Sequence, residues 1–92
     1  MVIVWNEAKR RLNLEKHGLD FADAQLVHYA PDKITLESRR SGEVRLVDLA
    51  NVELAGTVLV VVYRKCGREI RVISFRRASR KERKIYEQAR KE

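Results

Sequence analysis

Proline, glycine and cysteine are scarce in this chain. One proline and four glycines in 92 residues exclude a collagen-like or linker protein. The single cysteine, Cys66, makes no internal disulfide, and no Cys/His cluster has zinc-site spacing. Long apolar runs are missing as well. The longest, residues 57–63 (Thr-Val-Leu-Val-Val-Val-Tyr), falls far short of the ~20 residues of a membrane helix. No apolar N-terminal run resembles a signal peptide. The expectation is a cytoplasmic protein with no membrane segment. Nucleotide-loop, dinucleotide and zinc-protease motifs are also lacking, and the two histidines show no Ser-His-Asp spacing. No cofactor and no metal are expected.

What is present is enough apolar residue for one core, and a lopsided charge. The length suits one domain spanning residues 1–92, and a chain this size buries roughly 60 to 65% of its unfolded surface. Hydrophobic residues at 45% are too many for a disordered chain. Twenty Lys and Arg against thirteen Asp and Glu leave +7. Residues 1–59 hold eight basic and nine acidic residues, a net of −1, while residues 60–92 hold twelve and four, a net of +8. The positive field thus belongs to the last third and points to a polyanion, most simply nucleic acid. A soluble domain with one charged helix is the plainer alternative.

The pattern predicts the order β-α-α-β-β-β-β-α. Residues 1–5 are apolar and β-branched and suit a strand. Asn6 caps a helix ending at His17, with Gly18 in the left-handed position after it. Asp20, with Asp23 as partner, opens a second helix that Pro31 stops. From Lys33 the period changes to two. Strands are expected at 34–38, 43–49, 58–64 and 69–77, with turns at Ser41-Gly42, Ala55-Gly56 and Cys66-Gly67-Arg68. Ser79-Arg-Lys-Glu82 is a capping box opening a last helix with Ile85, Tyr86 and Ala89 inward. The expectation is an α+β domain: two short N-terminal helices and a C-terminal helix on an antiparallel sheet of about four strands.

The chemistry sits in a basic strand–helix unit, residues 71–80. Arginine offers five donors in a rigid fork matched to phosphate oxygens. Several around one phosphodiester bind RNA and stabilise a pentacoordinate phosphorane. Cleavage by the RNA's own 2′-hydroxyl needs a base, an acid and charge stabilisation, but no metal. Simple pleating places Arg71, Ile73, Phe75 and Arg77 on one face and Ile70, Val72, Ser74 and Arg76 on the other. The face ending in Ser74 and Arg76 is expected to line a groove, and the face of Ile73 and Phe75 to pack on the helices. The opposite assignment is nearly as good, because both faces are largely apolar. Antiparallel pairing puts Arg64 near the hairpin turn, well away from Arg76.

Trp5-Asn6, Lys9, Asn13, Lys16-His17-Gly18 and Phe21, then Gly42-Glu43, Arg45 and Val62-Tyr63, lead to a block from Ile70 to Arg83 (I-R-V-I-S-F-R-R-A-S-R-K-E-R) followed by Tyr86. This set resembles the BrnT toxins of bacterial type II toxin–antitoxin pairs over nearly the whole chain. It departs at Phe75, where the family usually carries a small residue, and in the loop at 51–56. The resemblance implies a RelE-like ribonuclease fold, RNA cleavage with growth inhibition, and a BrnA-type antitoxin. It further implies complexes of two toxins and two antitoxins that meet operator DNA through the antitoxin.

On this reading Arg76 and Arg80 stabilise the scissile phosphate, and His17 and Tyr86 transfer protons. Lys9, Lys16, Arg64, Arg71 and Arg77 contact RNA. A helix C-terminus raises an imidazole's pKa, which casts His17 as a donor, unless it only bonds the last helical carbonyls. Lys9 and Lys16, two turns apart, form a basic ridge or a solvated surface. His28 reads as a satisfied structural histidine and Trp5 as a core anchor. Glu82 reads as a cap, Glu43 and Arg45 as an exposed pair, and Cys66 as an incidental thiol. A non-catalytic nucleic-acid-binding module or co-repressor is the alternative from another class.

Overall fold

The computed structural model describes residues 2–91, so Met1, part of the first expected strand, lies outside the described residues, as does Glu92. Strand β1 (Val2–Val4) leads into helix α1 (Glu7–His17). A 3-10 turn (Phe21–Asp23) and the single-turn helix α2 (Gln25–His28) follow. Four strands come next: β2 (Ile34–Arg40), β3 (Glu43–Val52), β4 (Thr57–Cys66) and β5 (Glu69–Arg77). A 3-10 turn (Glu53–Ala55) links β3 to β4, and α3 (Arg80–Lys91) ends the described chain.

Strands β2 to β5 form the expected antiparallel meander. The sheet is nevertheless five-stranded and mixed, in the order β1-β5-β4-β3-β2, because β1 pairs parallel with β5. That corrects the four-stranded expectation. A parallel neighbour requires a long crossover, here from Val4 to Glu69, so nothing local in the sequence announces it. The β2–β3 turn puts both Ser41 (φ 50) and Gly42 (φ 77) in the left-handed region, the backbone a two-residue hairpin needs.

The expected second helix is broken. The Asp20 side chain accepts from the Ala22 N–H at 3.0 Å while its backbone carbonyl accepts from the Asp23 N–H at 2.9 Å, and the chain tightens into the 3-10 turn before α2. Phe21, Ala24 and Val27 recur every three residues, the 3-10 period, and all three are buried. They cover one sheet face, packing on Ala50, Leu59, Val61, Tyr63, Ile70, Val72 and Phe75. Asp48, fully buried on this side, accepts from Lys33, Thr35 and Tyr63 at 2.7–3.0 Å, with His28 Nδ1 at 2.8 Å. With its partners present, His28 is a structural residue, and a buried carboxylate tolerates its site only with such bonds.

The other sheet face meets α3, whose one buried side chain is Tyr86. Tyr86 packs on Leu49, Val58 and Val60, and its hydroxyl donates to Asp32 at 2.9 Å. Ile85 and Ala89, expected inward, are exposed. This face is buried under Tyr86, continues over the partly buried Val47 and Val62, and toward the hairpin end carries Arg45, Arg64 and Arg71. Among the described residues no helix is long and apolar enough to cross a membrane.

Candidate active site

The site is built on an irregularity in β5. Tyr63 pairs with Val72 and Val62 with Ser74, so Ile73 is an extra residue on β5, a β-bulge. Simple alternation fails there. Ile70, Val72 and Phe75 all point into the core and are at most 1% exposed. Arg71, Ser74 and Arg76 are left on the opposite face. The expected grouping of Ser74 and Arg76 with Ile70 and Val72, and of Arg71 with Phe75, is corrected by this one residue.

The bulge coincides with an open sheet edge, since β1 covers β5 only as far as Arg71. Asn13 closes the next stretch. Its amide donates to the Phe75 carbonyl at 2.7 Å and to the Leu19 carbonyl at 3.0 Å, and its oxygen accepts from the Phe75 N–H at 3.1 Å. It is the one buried residue of α1. The helix is thereby clamped along the edge, and Lys9, Lys16 and His17 line one hollow of about 320 Å³ with Leu12, Asn13, Ile73 and Ser74.

His17 ends α1, whose Asn6 cap and left-handed Gly18 lie where expected. Its imidazole is held below the ordinary value, first by burial and then by the charges of Lys16 and Arg76. This overturns the expectation of a raised pKa: lost solvation and two cations outweigh the helix end. Arg77 is exposed outside this hollow and donates to the His17 carbonyl at 3.3 Å, which completes the helix terminus rather than the groove.

Arg76 forks onto Glu82, at 2.7 and 3.0 Å. The same carboxylate accepts from Ser79 N–H at 2.8 Å, and Glu82 N–H donates to Ser79 Oγ at 3.2 Å, the reciprocal capping box. The Arg76 hydrogen bond leads in lowering the Glu82 pKa to about 2, against the opposing effect of burial. Glu82 is an anion at neutral pH and fixes the Arg76 plane. Arg76, Ser74 and Ile73 continue into a groove of about 440 Å³ floored by Val47 and Val62 and edged by Arg40, Arg45, Lys81 and Ile85. Arg80 is exposed at the start of α3. A helix start favours acids, yet this one carries Arg80 and Lys81, so charge is concentrated where the dipole already attracts anions.

A third hollow, about 390 Å³, lies toward the hairpin and brings together Lys9, Arg45, Arg64 and Arg71 with Asn6 and Glu43. Arg64 pairs with Arg71 across the strands, far from Arg76 as expected. All three hollows touch Ile73, so they form one basic channel along the bulged strand. Tyr86 is not part of it. Its hydroxyl is engaged by Asp32, Arg90 lies over its ring, and it lines a separate hollow with Asn51 and Val58. Arg45 and Asn13 are the residues whose importance sequence reasoning missed. Arg45 sits on the face of β3 that also presents Glu43 and Val47, a signal that was readable once that face was known to be the groove. Among the described residues, no three His, Cys, Asp or Glu side chains converge to hold a metal ion.

Fold and site together define a small α+β protein with a basic channel along one strand. Residues 5–82 match the family described as "Ribonuclease toxin, BrnT, of type II toxin-antitoxin system", and the chain belongs to that family. Membership of a type II system implies a protein antitoxin as its partner. No curated protein matches the chain.

Proposed function

We infer that this chain is an endoribonuclease that cuts RNA by attack of the strand's own 2′-hydroxyl, without a metal ion, and so stops translation and growth. The observation that carries the reading is that the hollow lined by His17 and the groove lined by Arg76 share Ile73 and Ser74 at the bulge. A neutral imidazole at pH 7 accepts the 2′-hydroxyl proton. The freed oxygen attacks the adjacent phosphorus, and the 5′-oxygen leaves with the proton that His17 then holds. Arg76, with Arg80 from the start of α3, meets the charge that grows on the phosphorane oxygens. Glu82 and the Arg77 carbonyl engage three of the five Arg76 donors, which orients the fork and leaves two for the substrate. Lys9, Lys16, Arg64 and Arg71 hold phosphates along the channel. Tyr86 acts as the anchor of α3. The helix-flanked meander is in keeping with a RelE-like ribonuclease.

The partner in this reading is a BrnA-type antitoxin that covers the channel with an acidic segment and buries Leu36 and Ile85 beside it, since charge steers association more than it tightens it. Two toxins and two antitoxins assemble, and operator DNA is met through the antitoxin. The test is incubation of partner-free chain with single-stranded RNA in EDTA. Cleavage is expected. Intact RNA that magnesium rescues overturns the mechanism, and intact RNA in both conditions favours a non-catalytic binding module.

A further inference from the structure

The hairpin end of the channel holds more positive charge than the structure neutralises. Lys9, Arg45, Arg64 and Arg71 line one hollow with a single carboxylate, Glu43. Glu43 lies 2.6 Å from Arg64 and 3.6 Å from Arg45. The Arg71 guanidinium and the Lys9 ammonium have no hydrogen bond or ion pair among the described residues. Arg45 Nε is buried and unpartnered. Four like charges around one cavity repel, and a buried N–H without an acceptor costs free energy. One addition relieves both: an anion with several acceptor oxygens. The start of α1 borders the hollow through Asn6 and adds the positive end of a helix of 11 residues.

We propose that this hollow is a subsite for a second, uncleaved phosphate of the RNA, and that Glu43 takes the place of that phosphate between Arg45 and Arg64 until the strand arrives. The proposal rests on the ribonuclease reading for the nature of the strand. The anion site itself does not depend on it. Arg71 and Arg76 lie five positions apart on β5, about 15 Å at the rise of an extended strand. The phosphate held here therefore belongs to a nucleotide a few positions from the cut. Arginine forks suit a tetrahedral oxyanion presenting paired oxygens. Because Glu43 competes, a lone phosphate ion binds weakly. A strand held at Arg76 as well binds the subsite at high effective concentration. Glu43 thereby favours polymer over free phosphate.

Two measurements test this. Inorganic phosphate is titrated into the full chain while the arginine Nε–H signals are followed by NMR. Saturable shifts at Arg45, Arg64 and Arg71 are expected, with E43Q tightening the apparent affinity about fivefold by removing the competing anion. Shifts confined to Arg76, or non-saturating changes over the whole surface, overturn the proposal. In the second, a single neutral methylphosphonate is moved along an RNA oligomer. One position away from the cut is expected to weaken binding about tenfold in the wild type and to have little effect in R71A. The absence of such a position overturns the subsite. If the chain cuts no RNA yet phosphate shifts remain localised at the three arginines, the anion site stands and the ribonuclease reading falls.

Discussion

The side chain of Asn13 pairs with the backbone of Phe75 as a neighbouring strand would, donating to its carbonyl at 2.7 Å and accepting from its N–H at 3.1 Å. One amide thus replaces the strand that β1 is too short to supply and sets the distance between α1 and the bulge. His17 and Ser74 line the same hollow beside it.

Asn13→Ala should therefore be costly in two ways. It leaves buried backbone groups without partners, at about 1–3 kcal/mol each at most, so urea denaturation should show a loss of roughly 2–3 kcal/mol. Single-turnover cleavage by the molecules still folded should fall as well, because α1 no longer holds His17 at the strand. Unchanged stability would contradict the clamp.

Arg76→Ala should lower the cleavage rate more than RNA affinity, since charge on the phosphorane grows only in the transition state. Arg83, exposed on α3, serves as the control: Arg83→Ala should weaken binding modestly and reduce its salt dependence with little change in rate. Equal effects of both variants on binding, with cleavage unchanged, would reduce Arg76 to a phosphate clamp.

One carboxyl and one imidazole, both held below their ordinary values, give two separate readouts of acidification, one in stability and one in rate. Glu82 titrates near 2 when folded against an ordinary 4.5. Its contribution is fully present above about pH 4.5 and is lost as pH falls toward 2. Acid unfolding followed by circular dichroism should be shallower for E82Q, which loses about 1–2 kcal/mol at neutral pH after allowance for solvent screening. The His17 imidazole is depressed by burial and by the charges of Lys16 and Arg76, so kcat/KM should hold through the ordinary imidazole range and decline only on further acidification. A rate that rises on acidification would mark His17 as the proton donor instead.

Much of the fold was legible because it is written locally. The Asn6 and Ser79 caps, the Gly18 terminus and the hairpin turns each need only a few neighbouring residues. Three features were not. The parallel β1–β5 pair joins residues 2–4 to residues 69–71, far apart in the chain. The bulge at Ile73 adds a residue without changing the apolar composition of β5, so period-two reading put Ser74 on the wrong partners' face. Tyr86 obeys the helical period but finds Asp32, which no pattern links to it. The basic channel was legible as charge in the last third, whereas Lys9 and Arg45 joined it only through tertiary placement.

The partner-free chain should be monomeric by light scattering, and its complex with the antitoxin should be larger than one of each. The basic channel repels a second copy and attracts an acidic cover. A stable dimer of the chain alone through that face would contradict the account of how the toxin is silenced.

The nature of the new RNA ends tests the central claim most directly. Attack by the 2′-hydroxyl leaves a 2′,3′-cyclic phosphate on one fragment and a 5′-hydroxyl on the other. Mass spectrometry of a defined oligomer cut in EDTA should show these ends, and a single 2′-deoxy substitution at the cut should abolish the reaction. Fragments ending in a 3′-hydroxyl and a 5′-phosphate, or cleavage that survives the 2′-deoxy substitution, would contradict it.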